Sequence, residues 1–346
     1  MKGQAQTVII AIVGIIIVIG LLWWGSTRRA GELPEDPGVV LEDIGPVKIG
    51  WMGPLTGDAA AYGESIKRGV EMAQEELGAD NIEIIFEDSK CEPKDAVSSI
   101  NKLIQTDEVV AIIGEVCSGA TLAAAPIAEE AGVVLISTSS TSPDVTDAGD
   151  FIFRTVPSDA LQGTFGAELV AADGHETLAV VYTNEQYGLG FNDVLAEVWP
   201  TLDGEIVASE AVERTSVDLR SQLTKVKAAN PDAIYLISNS PDTAVAMLKQ
   251  IEELGIDAAL YVSEGFRSDD VLTGAGAAAE GIVVTAVSSG TSDFITRHTE
   301  KHSEAPGPFA AQGYDAFVAL ARAIGGGASS GESIKDALGS VSFEGA

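Results

Sequence analysis

The sequence predicts an α/β protein of two doubly wound lobes. Short, nearly continuous apolar runs rich in β-branched residues recur along the chain, they alternate with stretches of helical spacing, and the whole alternation occurs twice. Continuous apolar runs of strand length suit parallel strands covered on both faces. Strict alternation suits right-handed crossovers that place helices on both sides of a sheet. The first series of strands reads Val47–Met52, Ile82–Glu87, Val109–Gly114 and Val133–Ser137. The second reads Thr177–Thr183, Glu205–Val212, Ala233–Ser238, Ala259–Ser263 and Ile282–Val287. An irregular stretch, Asp150–Asp159, separates the two.

Between the strands the spacing is helical. Ile66, Val70, Ala73 and Leu77 fall on one stripe. Pro93 opens the next helix in its first turn, where a missing N–H costs nothing, whereas Pro126 lies inside a helical stretch. A late helical run, Pro308–Ile324 and Gly331–Leu338, follows the second series. A further strand is expected to begin near Phe343, with a tail beyond Ala346 completing the second lobe.

Thr7 to Gly25 (TVIIAIVGIIIVIGLLWWG) is an uncharged apolar run of 19 residues. As a helix it spans ~28 Å, about one bilayer core. Trp23 and Trp24 sit where an interfacial aromatic belt would lie, and Arg28 and Arg29 flank it. The run exceeds a usual signal-peptide core and lacks an A-x-A site, so residues 1–25 read as a retained transmembrane helix in preference to a cleaved signal. Residues 26–45, with Pro, Gly and acids, read as an extended linker.

Charge excludes several functions. The chain carries 52 Asp and Glu against 20 Lys and Arg, a net charge of −32, and every acid lies beyond residue 31. Such a surface repels phosphate backbones and anionic lipid, so nucleic-acid binding is excluded. It suits a high-salt environment, where screening relieves self-repulsion. Three His and two Cys leave little for a structural zinc site, and no metal or cofactor is expected.

Catalytic motifs are weak. Gly327-Ala328-Ser329-Ser330-Gly331 matches G-x-S-x-G, but a helix precedes it and no His follows, so it reads as a helix-ending loop. His298 and His302 lie at i, i+4 with no third metal ligand signalled, and read as a solvated helix face. No Walker A loop occurs, and no G-x-G-x-x-G follows the first strand. The chain is not expected to be an enzyme.

The strand ends are more informative, because doubly wound sheets bind ligands at their carboxyl edge. Cys91 and Cys117 follow the second and third strands. Outside the cytoplasm they are expected to oxidise, the alternative being two buried free thiols. Ser118 opens a helix, and Ser139 and Thr141 belong to a hydroxyl-rich run, Ser137 to Ser142. Hydroxyls with free N–H groups at a helix start suit a carboxylate, although capping and turns use the same residues. In the second lobe Tyr187 and Glu264 again follow strands. A carboxylate there suits an ammonium group, or is a helix-start acid favoured by the dipole.

Taken in order, GPLTGDAAAYG (53–63), DSKCEPKDAV (88–97), IGEVCSGAT (113–121), LISTSSTSPDVT (135–146), FRTVPSD (153–159), NEQYGLG (184–190), SEG (263–265) and PGPFAAQGYDA (306–316) give the chain a likeness to a known family. It resembles the solute-binding proteins of branched-chain amino-acid ABC transporters, of the type I periplasmic-binding-protein fold. The resemblance covers roughly Val47 to Ala346. It implies that Cys91 and Cys117 form a disulfide. It implies that Ser118, Ser139 and Thr141 receive a ligand α-carboxylate and that Glu264 receives the α-ammonium. Tyr62 and Tyr187 would wall the cleft from opposite lobes, and Phe309 would line the side-chain pocket. The family's chain crosses between lobes three times, so lobe 1 would be 46–157 continued by 288–338, and lobe 2 would be 158–287 with the tail. Asn239-Ser240 stands where relatives often place an aromatic, which makes the side-chain subsite more polar. The implied function is a cell-surface, membrane-anchored receptor that delivers a small amino acid to an ABC permease with its ATPase subunits. The alternatives are a ligand-sensing ectodomain of the same fold and a binder of a neutral amide or urea.

Overall fold

The computed structural model describes residues 45–346. The transmembrane helix read over residues 1–25 and nearly all of the linker lie outside the described residues. Among the described residues no helix is long and apolar enough to cross a membrane.

The apolar runs form two five-stranded sheets, parallel throughout. The first takes β1 (Val47–Gly53), β2 (Ile82–Asp88), β3 (Ala111–Ile113), β4 (Val134–Ser137) and β5 (Ile152–Arg154) in the order β2-β1-β3-β4-β5. The second takes β6 (Thr177–Thr183), β7 (Glu205–Val212), β8 (Ala233–Ile237), β9 (Ala259–Val262) and β10 (Val283–Val284) in the order β10-β9-β8-β6-β7. Each sheet reverses its strand order beside its first strand, which opens a crevice at the carboxyl edge. Central strands are apolar on both faces because helices cover both: all five residues of β8 are buried.

Helices fill the intervals: α1 (Ala60–Glu76), α2 (Pro93–Gln105), α3 (Ser118–Ala131), α4 (Asp159–Ala172), α5 (Gln186–Val198), α6 (Arg220–Ala229), α7 (Pro241–Leu254), α8 (Asp269–Ala275), α9 (Ser292–His302), α10 (Ala310–Gly325) and α11 (Gly331–Leu338). The stripe expected on α1 is real: Ile66, Val70 and Ala73 are fully buried. Pro93 stands at the start of α2, and Pro126 is accommodated inside α3. Helix α10 packs against α1, closely enough that a Cβ at Gly69 would lie 2.0 Å from the Ala310 carbonyl oxygen. Its Phe317 and Leu320 join the core of the first sheet, together with Ile334 of α11. The second sheet has a separate core on each face, one around Met247 and Phe266 and one around Trp199 and Tyr235. The described chain therefore passes from the first sheet to the second after β5 and returns after β10.

Three expectations are corrected. The stretch read as irregular, Asp150–Asp159, contains β5, which pairs with β4 through Leu135–Ile152, Ile136–Phe153 and Ser137–Arg154. It escaped notice because three residues are too short for a period. No strand forms near Phe343. Instead the Ala346 N–H donates to Asp315 Oδ1 at 2.8 Å, and Phe343 packs against the first core under the Arg322 guanidinium. His298 is not on a solvated face. It is 1 % exposed, its Nδ1 lies 3.2 Å from the Glu304 carbonyl oxygen, and burial lowers its pKa to about 4. The G-x-S-x-G match is a loop between α10 and α11 in which Ser330 and Ser333 form a capping box.

Cys91 and Cys117 are joined, with Cα atoms 5.4 Å apart and a sequence separation of 26. Closing a loop of this length stabilises by roughly 3–4 kcal/mol on the chain-entropy account. Reduction is expected to lower the melting temperature accordingly. Thermal unfolding with and without a phosphine reductant checks this, and an unchanged transition after complete reduction would contradict it.

Candidate functional site

The carboxyl ends of both sheets face one cavity, lined by Tyr62, Val116, Cys117, Ser118, Ser139, Tyr187, Asn239, Glu264, Gly265 and Phe309. Six of the seven ligand residues read from the sequence thus converge on it. The seventh, Thr141, is buried in the same loop as Ser139. From the first sheet come the loop after β1, which leads into Tyr62, the loop after β3 with Cys117 and Ser118, and the loop after β4 with Ser139. From the second come Tyr187 at the start of α5, Asn239 after β8 and Glu264 after β9. Phe309 arrives from the return segment before α10, its ring centroid 6.2 Å from that of Tyr62.

The hydroxyl-rich side is a braced loop. Ser137 Oγ donates to the Glu115 carbonyl at 2.6 Å, and Ser139 Oγ donates to the Val116 carbonyl at 2.7 Å. Ser118 Oγ accepts from the Ser142 N–H at 3.2 Å, which leaves its own proton free to donate. Thr141 Oγ1 is buried without a hydrogen-bond partner. Ser118 also begins α3, where the dipole and unpaired N–H groups favour an anion. Behind the loop stands Arg154 at the end of β5. Its guanidinium donates to the Ser142 carbonyl at 3.0 Å, lies 3.4 Å and 3.5 Å from those of Thr141 and Ser140, and donates to Thr146 Oγ1 at 2.6 Å. By holding consecutive carbonyls on the far side, Arg154 sets the orientation of the peptide groups that face the cavity.

The opposite side is acidic. Glu264 is 7 % exposed and accepts from Gln162 Nε2 at 2.6 Å; Gln162 also donates to the Thr285 carbonyl at 3.0 Å. Burial raises the Glu264 pKa, against the hydrogen bonds of Tyr187 and Gln162. Beside it lies Asp159, fully buried, with neither carboxylate oxygen in a hydrogen bond of normal geometry. Burial first, and then the charge of Glu264, push its pKa well up, while Thr141 and Arg154 act to lower it. Tyr187 Oη is buried near both acids and likewise lacks a well-formed hydrogen bond. Two carboxylates taken out of water next to each other are costly unless a cation or shared protons join them.

Asp159 was not singled out from the sequence. Ser158-Asp159 reads there as a helix cap followed by a first-turn acid, and Ser158 does cap α4, accepting from the Ala160 N–H at 3.2 Å. Local signals therefore explained the residue away. Its burial against Glu264 depends on a contact between segments about a hundred residues apart. Arg214, also unremarked, reaches across the cleft. It donates to Asp58 at 3.0 Å, lies 3.5 Å from Glu92, and its Nε donates to Asn239 Oδ1 at 3.2 Å. Tyr62 crosses too, donating to the Gly265 carbonyl at 3.2 Å. Gly265 is a required glycine, since a Cβ there would lie 1.7 Å from the Ser238 carbonyl oxygen. Cys91, Glu115 and Cys117 come together as potential metal ligands, but the disulfide occupies both sulfurs. Glu115 is fully buried; burial raises its pKa to about 7, against hydrogen bonds from Ser89 and the Cys117 N–H.

The arrangement sets neutral donors and a helix start across one small cavity from the buried acid Glu264, a complement to a molecule carrying both an anion and a cation. The Leucine-, isoleucine-, valine-, threonine-, and alanine-binding protein of Pseudomonas aeruginosa is 30% identical over 316 residues, 86% of this chain and 83% of that one. The crystal structure of the leucine binding protein LivK from Thermotoga maritima superposes with a TM-score of 0.78 at 28% identity, covering 84% of this chain and 87% of that chain. The branched-chain amino acid transporter substrate binding protein LivJ from Streptococcus pneumoniae, in complex with isoleucine, gives a TM-score of 0.76 at 30% identity, with coverage of 84% and 87%. The family model described as periplasmic binding protein matches residues 46–346. With a parallel α/β lobe on each side of a ligand-sized cavity, this chain belongs to the periplasmic binding protein family.

Proposed function

We propose that the chain is an extracytoplasmic receptor that binds a small α-amino acid between its lobes and delivers it to the permease of an ABC importer. The observation that carries this reading is Glu264, buried across the cavity from Ser118 and Ser139, with a second buried acid, Asp159, close enough to feel its charge. An α-amino acid carries a carboxylate and an ammonium on one carbon, and stripping both of water is tolerable only if each is paired. In this reading Ser118 and Thr141 hold the carboxylate through their hydroxyls, and Ser139, whose hydroxyl is tied to Val116, through its main-chain N–H. Glu264 and Asp159 hold the ammonium, with Tyr187 beside them. Tyr62 and Phe309 cover the side chain. Relatives named for leucine, isoleucine, valine, threonine and alanine support the ligand class.

The same reading takes 46–157 and 288–338 as one lobe and 158–287 as the other, joined by a hinge. Ligand contacts in both lobes favour the closed arrangement. Because the carboxylate and ammonium subsites belong to different lobes, the zwitterion itself ties them. An N-terminal anchor over residues 1–25 would hold the receptor at the outer face of the cell membrane.

Glu264→Gln keeps the shape and removes the counter-charge of the buried ammonium. The expected loss is roughly 2–5 kcal/mol, about 30-fold to several-thousand-fold in affinity. Ser118→Ala removes one hydrogen bond to a charged group and is expected to cost on the order of 1.5–3 kcal/mol. Calorimetry with a panel of amino acids and their amides measures both. Undiminished amino-acid binding by Glu264→Gln would refute the ammonium assignment and favour a neutral ligand.

Acidity supplies a second test. The Asp159 and Glu264 pKa values are raised, so these acids take up protons at a higher pH than usual. A bound ammonium needs them ionised. Affinity is therefore expected to fall as pH falls through the raised range, and binding within that range should release protons. Folding of the unliganded protein has the opposite sign: the native state holds these protons more tightly than the unfolded chain, so its stability declines as pH rises through the same range. Calorimetry in buffers of different ionisation enthalpy reads the proton release. Binding that is pH-independent from neutral to acidic conditions would contradict the assignment.

A further inference from the structure

Once the two poles of an α-amino acid are placed, the rest of the cavity wall faces its side chain. That wall comprises Val116, Phe309, Tyr62, Gly265 and Asn239, with Cys117 closed into the disulfide. Val116 and Phe309 are apolar. The Tyr62 hydroxyl is spent on the Gly265 carbonyl. Asn239 is thus the one side chain of this wall with polar valences left over.

Its amide is held in one orientation. Asn239 Oδ1 accepts from Arg214 Nε at 3.2 Å, so its Nδ2 side is the one that bears on the Glu185 carboxylate, whose acidity it strengthens. Arg214 is itself fixed by Asp58 across the cleft at 3.0 Å. An asparagine amide has two lone pairs and two N–H groups. With one of each committed, one lone pair and one N–H remain on a side chain that lines the cavity. They form a complementary pair, the pattern that another carboxamide satisfies by donating and accepting once. Full charges fit less well. A cationic tip meets Arg214, and an anionic tip meets an environment that already holds Asp58, Glu185 and Glu264.

We propose that Asn239 is a specificity-determining residue that selects an α-amino acid whose side chain ends in a neutral carboxamide, of the asparagine or glutamine class. This rests on the amino-acid reading given above and narrows it. An apolar side chain would bury the free valences of Asn239 unpaired, and a site built to hydrogen-bond its ligand discriminates strongly against the analogue that lacks the group. Arg214 links this choice to closure, since the residue that orients the Asn239 amide also spans the two lobes.

Two nearly isosteric pairs test the proposal: asparagine against leucine, and glutamine against methionine. Dissociation constants are measured by calorimetry on the wild-type chain, on Asn239→Leu and, as a second variant should leucine disturb folding, on Asn239→Ser. The expected result is that wild type prefers the amide by about tenfold or more in at least one pair, and that Asn239→Leu abolishes or reverses the preference. Equal or tighter binding of the apolar member in both pairs overturns the proposal while leaving the amino-acid reading intact. So does an amide preference that survives in the variants. Binding of none of the four by wild type would sink both readings.

Discussion

The site is organised around a charge that water does not reach. Asp159 and Glu264 are both buried; burial raises the pKa of each, and the charge of Glu264 adds to the cost of ionising Asp159. Protein interiors tolerate such groups only when they are paired, hydrogen-bonded or protonated. Gln162 supplies one hydrogen bond to Glu264, and Arg154 acts on Asp159 from behind the neighbouring loop. The remaining deficit is what a ligand ammonium would fill. Binding energy is then concentrated where the empty protein is least content.

Everything around the pair serves to hold it in place. The carboxyl edge of a parallel sheet gathers loop ends and helix starts at one level, and here two such edges oppose each other. Braces behind the loops keep them from relaxing: Arg154 grips the carbonyls of 140–142, Ser137 and Ser139 tie back to 115 and 116, and the disulfide joins the ends of β2 and β3. The consequence is one side of the cavity made largely of neutral donors. Such a side costs less to desolvate than a lysine or arginine would and leaves the net attraction to be set by the acids opposite.

Directional polar contacts join the two lobes. Tyr62 reaches the Gly265 carbonyl, and Arg214 reaches Asp58. Arg214 is notable because the chain carries 20 basic against 52 acidic residues, so a cation at the cleft rim offsets the repulsion that two acidic lobes would feel on closing. Its effect extends inward, since it also lowers the pKa of Glu115, Glu185 and Tyr62 against the effect of their burial. Closure, cleft charge and the orientation of Asn239 therefore share one side chain.

Much of this was legible in the sequence. Nine of the ten strands announce themselves as apolar runs, because a parallel strand covered on both faces has no polar side to hide in. Ser118, Ser139, Tyr187 and Glu264 could be placed at the carboxyl edges of their sheets from topology, whereas Tyr62 and Phe309 followed from the family resemblance. Three features were decided only by the tertiary structure. Strand β5 is too short to show a period, and exists because Leu135–Ser137 offers it a ladder. Asp159 looks like an ordinary first-turn acid, and becomes part of the site because Glu264, 105 positions further along, is packed against it. Asn239 reads as a polar member of the side-chain subsite, and its amide acquires a direction only when Arg214 and Glu185 close on it. Sequence patterns report what a residue does for its own helix or strand. Which charges meet in the dark between two lobes depends on long-range packing, and no local pattern carries that.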